Sequence, residues 1–276
     1  MFGGNKQRTY RDYAMLDSDM LFVTSVFYTL QGEGPFAGQP AVFVRLTGCH
    51  LACSFCDTWF DSGHVQTFHE IEQRIDTLAE QAWKHGAPIW GKQGLLVVVT
   101  GGEPMLQANL PRFLQRLQNH RCRTQIETAG SFWLQDIPHR THIVCSPKVN
   151  AATKQYMGVN TKLLDRIDSL KFIVSATEAG YTDIPHWAIN WAYQASPTGH
   201  RRVYVSPMNC YLRPPKKLDA DASIEARSEY DERISFWEEG LLDRAANQRN
   251  HEHAAALALK YGAILSLQQH LYANLP

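Results

Sequence analysis

Seven short apolar runs, separated by helix-patterned sequence, limit what this chain can fold into more than any other feature. They are LFVTSVFY (21–28), AVFVRLTG (41–48), LLVVVTGG (95–102), TQIETAG (124–130), IVCSPK (143–148), LKFIVS (170–175) and RVYVSP (202–207). Between them lie amphipathic stretches such as HEIEQRIDTLAEQAWKHG and QANLPRFLQRLQNH, whose apolar residues recur at i, i+3 and i+4. Apolar strands alternating with helices imply an α/β chain with a mainly parallel sheet covered by helices. Six or seven such strands fit a partial (β/α) barrel, short of the closed eight-stranded form. Several runs end in Gly, Ser, Thr, Glu or Lys, and the carboxyl edge of such a sheet is where chemistry is carried.

Flanking sequence divides the chain further. Residues 1–20 are polar and mixed, and read as a loosely held arm before a core at 21–212. Residues 213–255 are highly charged, open near Pro214-Pro215, and read as a linker and solvated helices inserted before the C-terminal segment 256–276. That segment holds a helix, AAALALKYG, with Gly262 as its C-cap, and AILSLQQHL as a final strand or extended tail.

Lys+Arg and Asp+Glu both number 27, so the net charge is zero, which argues against a broad nucleic-acid surface and direct nucleic-acid binding. No apolar run reaches the length of about 18 residues that suggests a membrane span. The first twenty residues contain no apolar signal core, and a cytoplasmic location is expected.

Six cysteines are too few for a disulfide framework in a chain of 276 residues. Cys122, Cys145 and Cys210 are scattered and read as small buried side chains. Cys49, Cys53 and Cys56 instead fall within TGCHLACSFCDTWF (47–60). Structural zinc takes four protein ligands, with His50 and His64 the nearest candidates for a fourth. A [4Fe–4S] cluster held by three thiolates would keep one iron open to a substrate or cofactor.

C-x3-C-x2-C with Phe55 before the last cysteine resembles the radical S-adenosylmethionine (SAM) superfamily. VVVTGGEPML (97–106) strengthens the likeness, with Gly101, Gly102, Glu103 and Pro104 ending an apolar run. The resemblance implies that this segment receives the methionyl amine of SAM. Glycines permit a close backbone approach, and carbonyls with a carboxylate suit an ammonium group.

LQGEG at 30–34, Arg45 before the cysteine loop, CDT at 56–58, IETAG at 126–130, SPK at 146–148 and His270 near the end narrow the match. Together they resemble the 7-carboxy-7-deazaguanine synthase family of queuosine biosynthesis, over about residues 22–208 and the last dozen. The resemblance implies a partial barrel of the radical SAM type with an extended C-terminal helical insertion. It further implies a carbon–nitrogen lyase that converts 6-carboxy-5,6,7,8-tetrahydropterin to 7-carboxy-7-deazaguanine and releases ammonia. A 5′-deoxyadenosyl radical would take hydrogen from the carbon bearing the carboxylate, the ring would contract, and hydrogen would return.

The implied roles follow by position. Cys49, Cys53 and Cys56 hold the cluster. Phe55, Cys56 and Asp57 lie against SAM, joined by Gly102, Glu103, Glu127 and the Ser146-Pro147-Lys148 segment. Ser206, Pro207, Met208 and Asn209 fall near its adenine. Leu30, Gln31, Gly32, Glu33, Arg45 and Thr100 face the pterin, Thr58 binds Mg2+, and His270 with the Pro276 carboxylate closes the pocket. Gln31 and Glu33 would read the pterin edge by complementary hydrogen bonds, and Arg45 would fork onto its carboxylate. A homodimer and a flavodoxin or ferredoxin donor are implied as well. Two departures stand out: the added length, and Ala129 where the family commonly has Asn. A radical SAM activase of a glycyl loop shares only the first two motifs, and a zinc-stabilised binding module only the thiols.

Overall fold

The computed structural model describes residues 8, 13, 16–53, 55–56, 58–83, 94–194, 201–212, 242–273 and 275. Its strands are β1 (Met20–Leu30), β2 (Pro40–Leu46), β3 (His64–Thr67), β4 (Leu96–Gly101), β5 (Arg123–Thr128), β6 (His142–Cys145), β7 (Ser169–Val174), β8 (Arg202–Pro207) and β9 (Ile264–Leu265). They form one sheet in the order β3-β1-β2-β4-β5-β6-β7-β8-β9. Every neighbouring pair from β2 to β9 is parallel. The sheet stays open, with β3 and β9 at its edges, as a partial barrel does.

The alternation of runs and helices anticipated this, with two differences at the first edge. β1 runs antiparallel to β2, because the nine residues 31–39 between them are too few for a crossover back to a parallel strand. β3 pairs antiparallel with β1 and has no apolar run to announce it, since His64 and Val65 are exposed.

The helices are α1 (Phe68–Trp83), α2 (Leu110–Asn119), α3 (Thr161–Leu164), α4 (His186–Tyr193), α5 (Arg244–Tyr261) and α6 (Gln269–Tyr272). A reciprocal cap starts α1: the Glu70 amide donates to Thr67 Oγ1 (3.2 Å) and the Thr67 amide to Glu70 Oε2 (2.7 Å). Its Phe68, Ile71 and Ile75 and the α2 residues Leu110, Phe113, Leu114 and Leu117 cover the outer face of the sheet, against Val42, Val44, Leu46, Val97 and Val99. Each such side chain contributes about 1.5–3 kcal/mol on burial. No described helix is long and apolar enough to cross a membrane.

The inner face differs along its length. Ala41, Leu96 and Val98, with Phe36 and Phe43, make a small apolar cluster there. Toward the carboxyl ends the same two-residue period brings polar groups inward. Thr100 follows Val98 on β4, and Lys171 and Ile173 turn inward between the core residues Leu170, Phe172 and Val174 of β7.

α5 begins at Asp243, whose Oδ1 accepts from the Ala246 amide (2.9 Å), and ends at Gly262 in the left-handed region (φ 65°). It is one continuous helix, so the division drawn between 255 and 256 falls inside it. Asn250 pins it to the sheet, donating to the Met208 carbonyl (2.7 Å) and accepting from the Ala176 amide (2.8 Å). Residues 213–241, most of the expected charged insertion, lie outside the described residues. The final segment supplies β9 and α6 and turns back onto the β1–β2 loop. There Gly34 N donates to Ser266 Oγ (2.9 Å) and Gln269 N to the Gly32 carbonyl (3.1 Å).

Candidate active site

One cavity opens at the carboxyl edge of the parallel strands. Cys49, Cys53, Phe55 and Cys56 line one wall, with Thr58 beside them. Thr100, Gly101 and Gly102 from the end of β4 make the base. Glu33, Glu127, Ser146, Lys148, Lys171 and Gln268 close the far side.

The cysteine loop is seated on the Gly-Gly turn by backbone contact. Glu103 N donates to the Gly48 carbonyl (2.8 Å), and Gly102 N to the Leu46 carbonyl (3.2 Å). A Cβ on Gly102 would lie 2.8 Å from Cys49 N and closer still to Gly48, so only glycine allows this approach. Gly101 adopts φ 123°, outside the range of ordinary side chains. Within the loop, Leu51 N lies 3.4 Å from Cys49 Sγ and Cys56 N donates to the Cys53 carbonyl (3.2 Å). Two residues of the N-terminal arm reach this loop. Arg8 N donates to the Cys49 carbonyl (2.6 Å), and the buried Tyr13 packs beside Gly48 and edge-on to Phe22.

The three thiols fit an iron–sulfur cluster by the chemistry of their donor set. None of the three is in a disulfide, all line the same cavity, and Cys122, Cys145 and Cys210 do not. Burial pushes the Cys49 thiol up to about 12, with Glu103, Cys53 and Cys56 adding to the rise. A bound cation reverses that cost, because a metal-coordinated thiol is deprotonated outright. Among the described residues no three His, Cys, Asp or Glu side chains gather around a point that would hold one metal ion. A cubane asks for less convergence, taking each cysteine on a different iron. Neither candidate for a fourth zinc ligand lines the cavity. His50 pairs with Ser131 Oγ (2.8 Å) and lies edge-on to Phe132, while the His64 ring pairs with Gln66 (3.0 Å) on β3.

Glu103 departs from the role expected of it. Its carboxylate is fully buried and turned from the cavity, accepting from Thr128 Oγ1 (2.7 Å), Met105 N (3.0 Å) and Ala129 N (2.8 Å). Burial raises its pKa, and those three hydrogen bonds oppose the rise. It ties the ends of β4 and β5 together and leaves the glycine backbone to face the cavity.

The remaining expected residues divide. Lys148 Nζ donates to Ser146 O (2.7 Å) and Oγ (2.8 Å), fixing that segment at the cavity; Pro147 is buried and off its lining. Ser206 donates to Glu33 Oε1 (3.1 Å), but neither it nor Pro207, Met208 or Asn209 lines the cavity. Asn209 instead bonds Gln268, which does. Gln31 is buried behind the wall and Leu30 ends β1 off it. Arg45 stands beside Thr100 in register, with its guanidinium 4.9 Å from the Phe27 ring centre. His270 packs on the Gly32 backbone, bringing the chain's end to the β1–β2 loop. Asp57 and Pro276 lie outside the described residues.

One residue not singled out from the sequence stands at the centre. Lys171 Nζ lies 2.5 Å from Glu33 Oε2 and 3.4 Å from Glu127 Oε2. A lysine within an otherwise apolar run was the available signal, since a buried lysine requires a partner.

A model of the radical SAM superfamily matches residues 43–139. A protein of Rickettsia prowazekii named 7-carboxy-7-deazaguanine synthase is 33% identical over 272 residues, covering 99% of this chain and 94% of that one. The Rhodospirillum rubrum protein of the same name is 40% identical over 170 residues, covering 60% of this chain and 64% of that one. The crystal structure of QueE from Escherichia coli superposes with a TM-score of 0.58 at 21% identity, covering 91% of this chain and 95% of that one, and so supports the fold.

Proposed function

The chain belongs to the 7-carboxy-7-deazaguanine synthase family, and we propose that the cavity above is where it carries out the family's ring contraction. It is a radical SAM lyase that converts 6-carboxy-5,6,7,8-tetrahydropterin to 7-carboxy-7-deazaguanine and ammonia, a step toward queuosine. The observation that carries the site assignment is the joining, in one cavity, of three cysteines outside any disulfide and a paired Glu33–Lys171–Glu127 group.

When bound, the [4Fe–4S] cluster and SAM would supply the radical chemistry of the ring contraction. Cys49, Cys53 and Cys56 would hold the cluster, beside the place of the methionyl end of SAM. Gly101 and Gly102 let the backbone approach that end, and Glu127, Ser146 and Lys148 orient the rest. Glu33 accepts from the N–H edge of the pterin, with Gln31 holding it in place. Thr58 and Thr100 line the cavity, and Thr58 would be the protein ligand to Mg2+, an ion that takes oxygen ligands and keeps several waters. Positioning is the protein's main contribution, since a radical rearrangement asks for fixed geometry and a dry cavity. The returning C-terminal segment, through Ser266, Gln268 and His270, covers the pterin side.

The test is anaerobic reconstitution with SAM, Mg2+, reductant and 6-carboxytetrahydropterin, followed by mass spectrometry. The ammonia-loss product is expected. Formation of 5′-deoxyadenosine alone would leave the radical core standing and overturn the substrate assignment. A colourless protein holding one zinc would overturn both.

We also infer a cytoplasmic homodimer that draws its electron from a flavodoxin or ferredoxin. Exposed Ile264 and Leu265 on the edge strand β9, with exposed Leu259 near the end of α5, favour a covered surface there. Sedimentation of a monomer at micromolar concentration would refute the dimer.

A further inference from the structure

Lys171 is 5% exposed, and its two carboxylate partners come from different parts of the chain, Glu33 from the β1–β2 loop and Glu127 from β5. An apolar side chain would pack an inward position of β7 with less desolvation, so a buried ion pair here points to a use. The chemistry of the pair suggests what that use is. An ammonium only donates, so Glu33 Oε2 accepts from it. Ser206 Oγ lies 3.1 Å from Glu33 Oε1. A carboxylate has about four acceptor sites, so these two contacts leave roughly one on each oxygen. Gln31 fixes the orientation, accepting from Glu33 N (3.2 Å) and donating to Glu127 Oε1 (2.9 Å). Glu33 therefore offers the cavity two adjacent acceptors and no donor.

We propose that Lys171 is a specificity-determining positioning residue: by holding Glu33 as an acceptor-only group, it makes the cavity select a 2-amino-4-oxo pterin edge. The inference rests on the pterin reading above and deepens it. A pterin presents two neighbouring donors, N3–H and the 2-amino group, which match two acceptors. A lumazine carries oxygen at C2, so its N3–H sits beside an acceptor. Matching that edge needs a proton on Glu33. Adding one discharges the shorter of the buried ammonium's two carboxylate contacts, and weakening the pairing of a buried charge is costly. Discrimination of this kind, where the wrong ligand leaves buried polar groups unpaired, is much stronger than discrimination by shape.

The experiment is equilibrium binding of 6-carboxypterin and 6-carboxylumazine, aromatic probes without the tetrahydro ring, to the cluster-loaded, SAM-bound enzyme, read by quenching of their own fluorescence. The wild-type protein should prefer the pterin by at least about 100-fold. Lys171→Met should reduce that preference to about tenfold or less, and Lys171→Arg should keep it. Glu33→Gln, whose amide offers one acceptor and one donor, should lose the preference as Lys171→Met does. Iron content and circular dichroism establish that each variant is folded, and Lys171→Gln is read on the same terms if the methionine variant is not. A folded Lys171→Met protein that keeps the wild-type ratio overturns the inference and leaves the pterin reading intact. A wild-type protein that binds neither probe overturns the pterin reading itself.

Discussion

Replacing Gly102 with alanine should unseat the cysteine loop. The new Cβ would lie 2.8 Å from Cys49 N and nearer to the Gly48 carbonyl, all of them backbone atoms. Comfortable carbon contacts begin at about 3.5 Å, so the loop must retreat from β4. Gly48 is held against such a shift: it has φ 86°, its amide donates to Phe60 O (3.1 Å), and its carbonyl accepts from Glu103 N (2.8 Å). Overpacking costs about 1–3 kcal/mol, and each backbone hydrogen bond broken by the shift adds about 0.5–1.5. With both bonds lost the total, about 2–6 kcal/mol, falls on the loop that carries Cys49. It is a large share of a typical domain stability of about 5–15 kcal/mol. Anaerobic reconstitution, with iron and sulfide counted per chain alongside thermal unfolding, reads both consequences. Gly158→Ala is the control, since its Cβ meets nothing within 4 Å. Full iron content and an unchanged melting temperature in Gly102→Ala would refute the argument that the Gly-Gly turn seats the loop.

Two further outcomes follow from buried groups. Glu103→Gln must aim its amide NH2 at a backbone donor, Met105 N–H or Ala129 N–H, and should cost about 1–3 kcal/mol in urea unfolding. Burial holds Glu103 above the ordinary value of 4.5, so the folded protein keeps this proton longer than the unfolded chain. Wild-type stability should therefore fall as pH rises from 4.5 through the raised value, and the glutamine variant should lack that slope. Burial lowers the His142 pKa below its ordinary 6.5, with Arg166, Arg202 and Arg123 assisting and Asp168 opposing. The unfolded chain then takes up this proton first, so the melting temperature should fall as pH drops below 6.5. His142→Gln should flatten that fall, and an unchanged profile would assign it to other groups.

Much of the site was legible because its chemistry is local. A metal-binding loop needs its thiols within a few residues of one another, and Cys49, Cys53 and Cys56 display that spacing directly. The Gly101-Gly102 turn shows equally well, because a backbone approach this close excludes every other residue. Glu103 was legible as part of that motif but not in its orientation. Whether a carboxylate faces a cavity or ties two strand ends depends on Thr128 and Ala129, which lie on another strand. Lys171 was less accessible still, being 138 residues from Glu33 and 44 from Glu127. The packing of Arg8 and Tyr13 over the cysteine loop left no pattern in a polar N-terminal stretch.

The sequence by itself determined the alternation of strands and helices, the thiol loop and the turn it rests on. Hydrophobic periodicity, glycine sterics and ligand spacing are set by residues near one another in the chain. Only the tertiary structure decided which polar groups share a wall: the register of β7 against β8, the antiparallel return of β1, and the pairing of Lys171 with two distant carboxylates. The cost of burying a charge arises only once strands have closed over it, and that cost selects its partners.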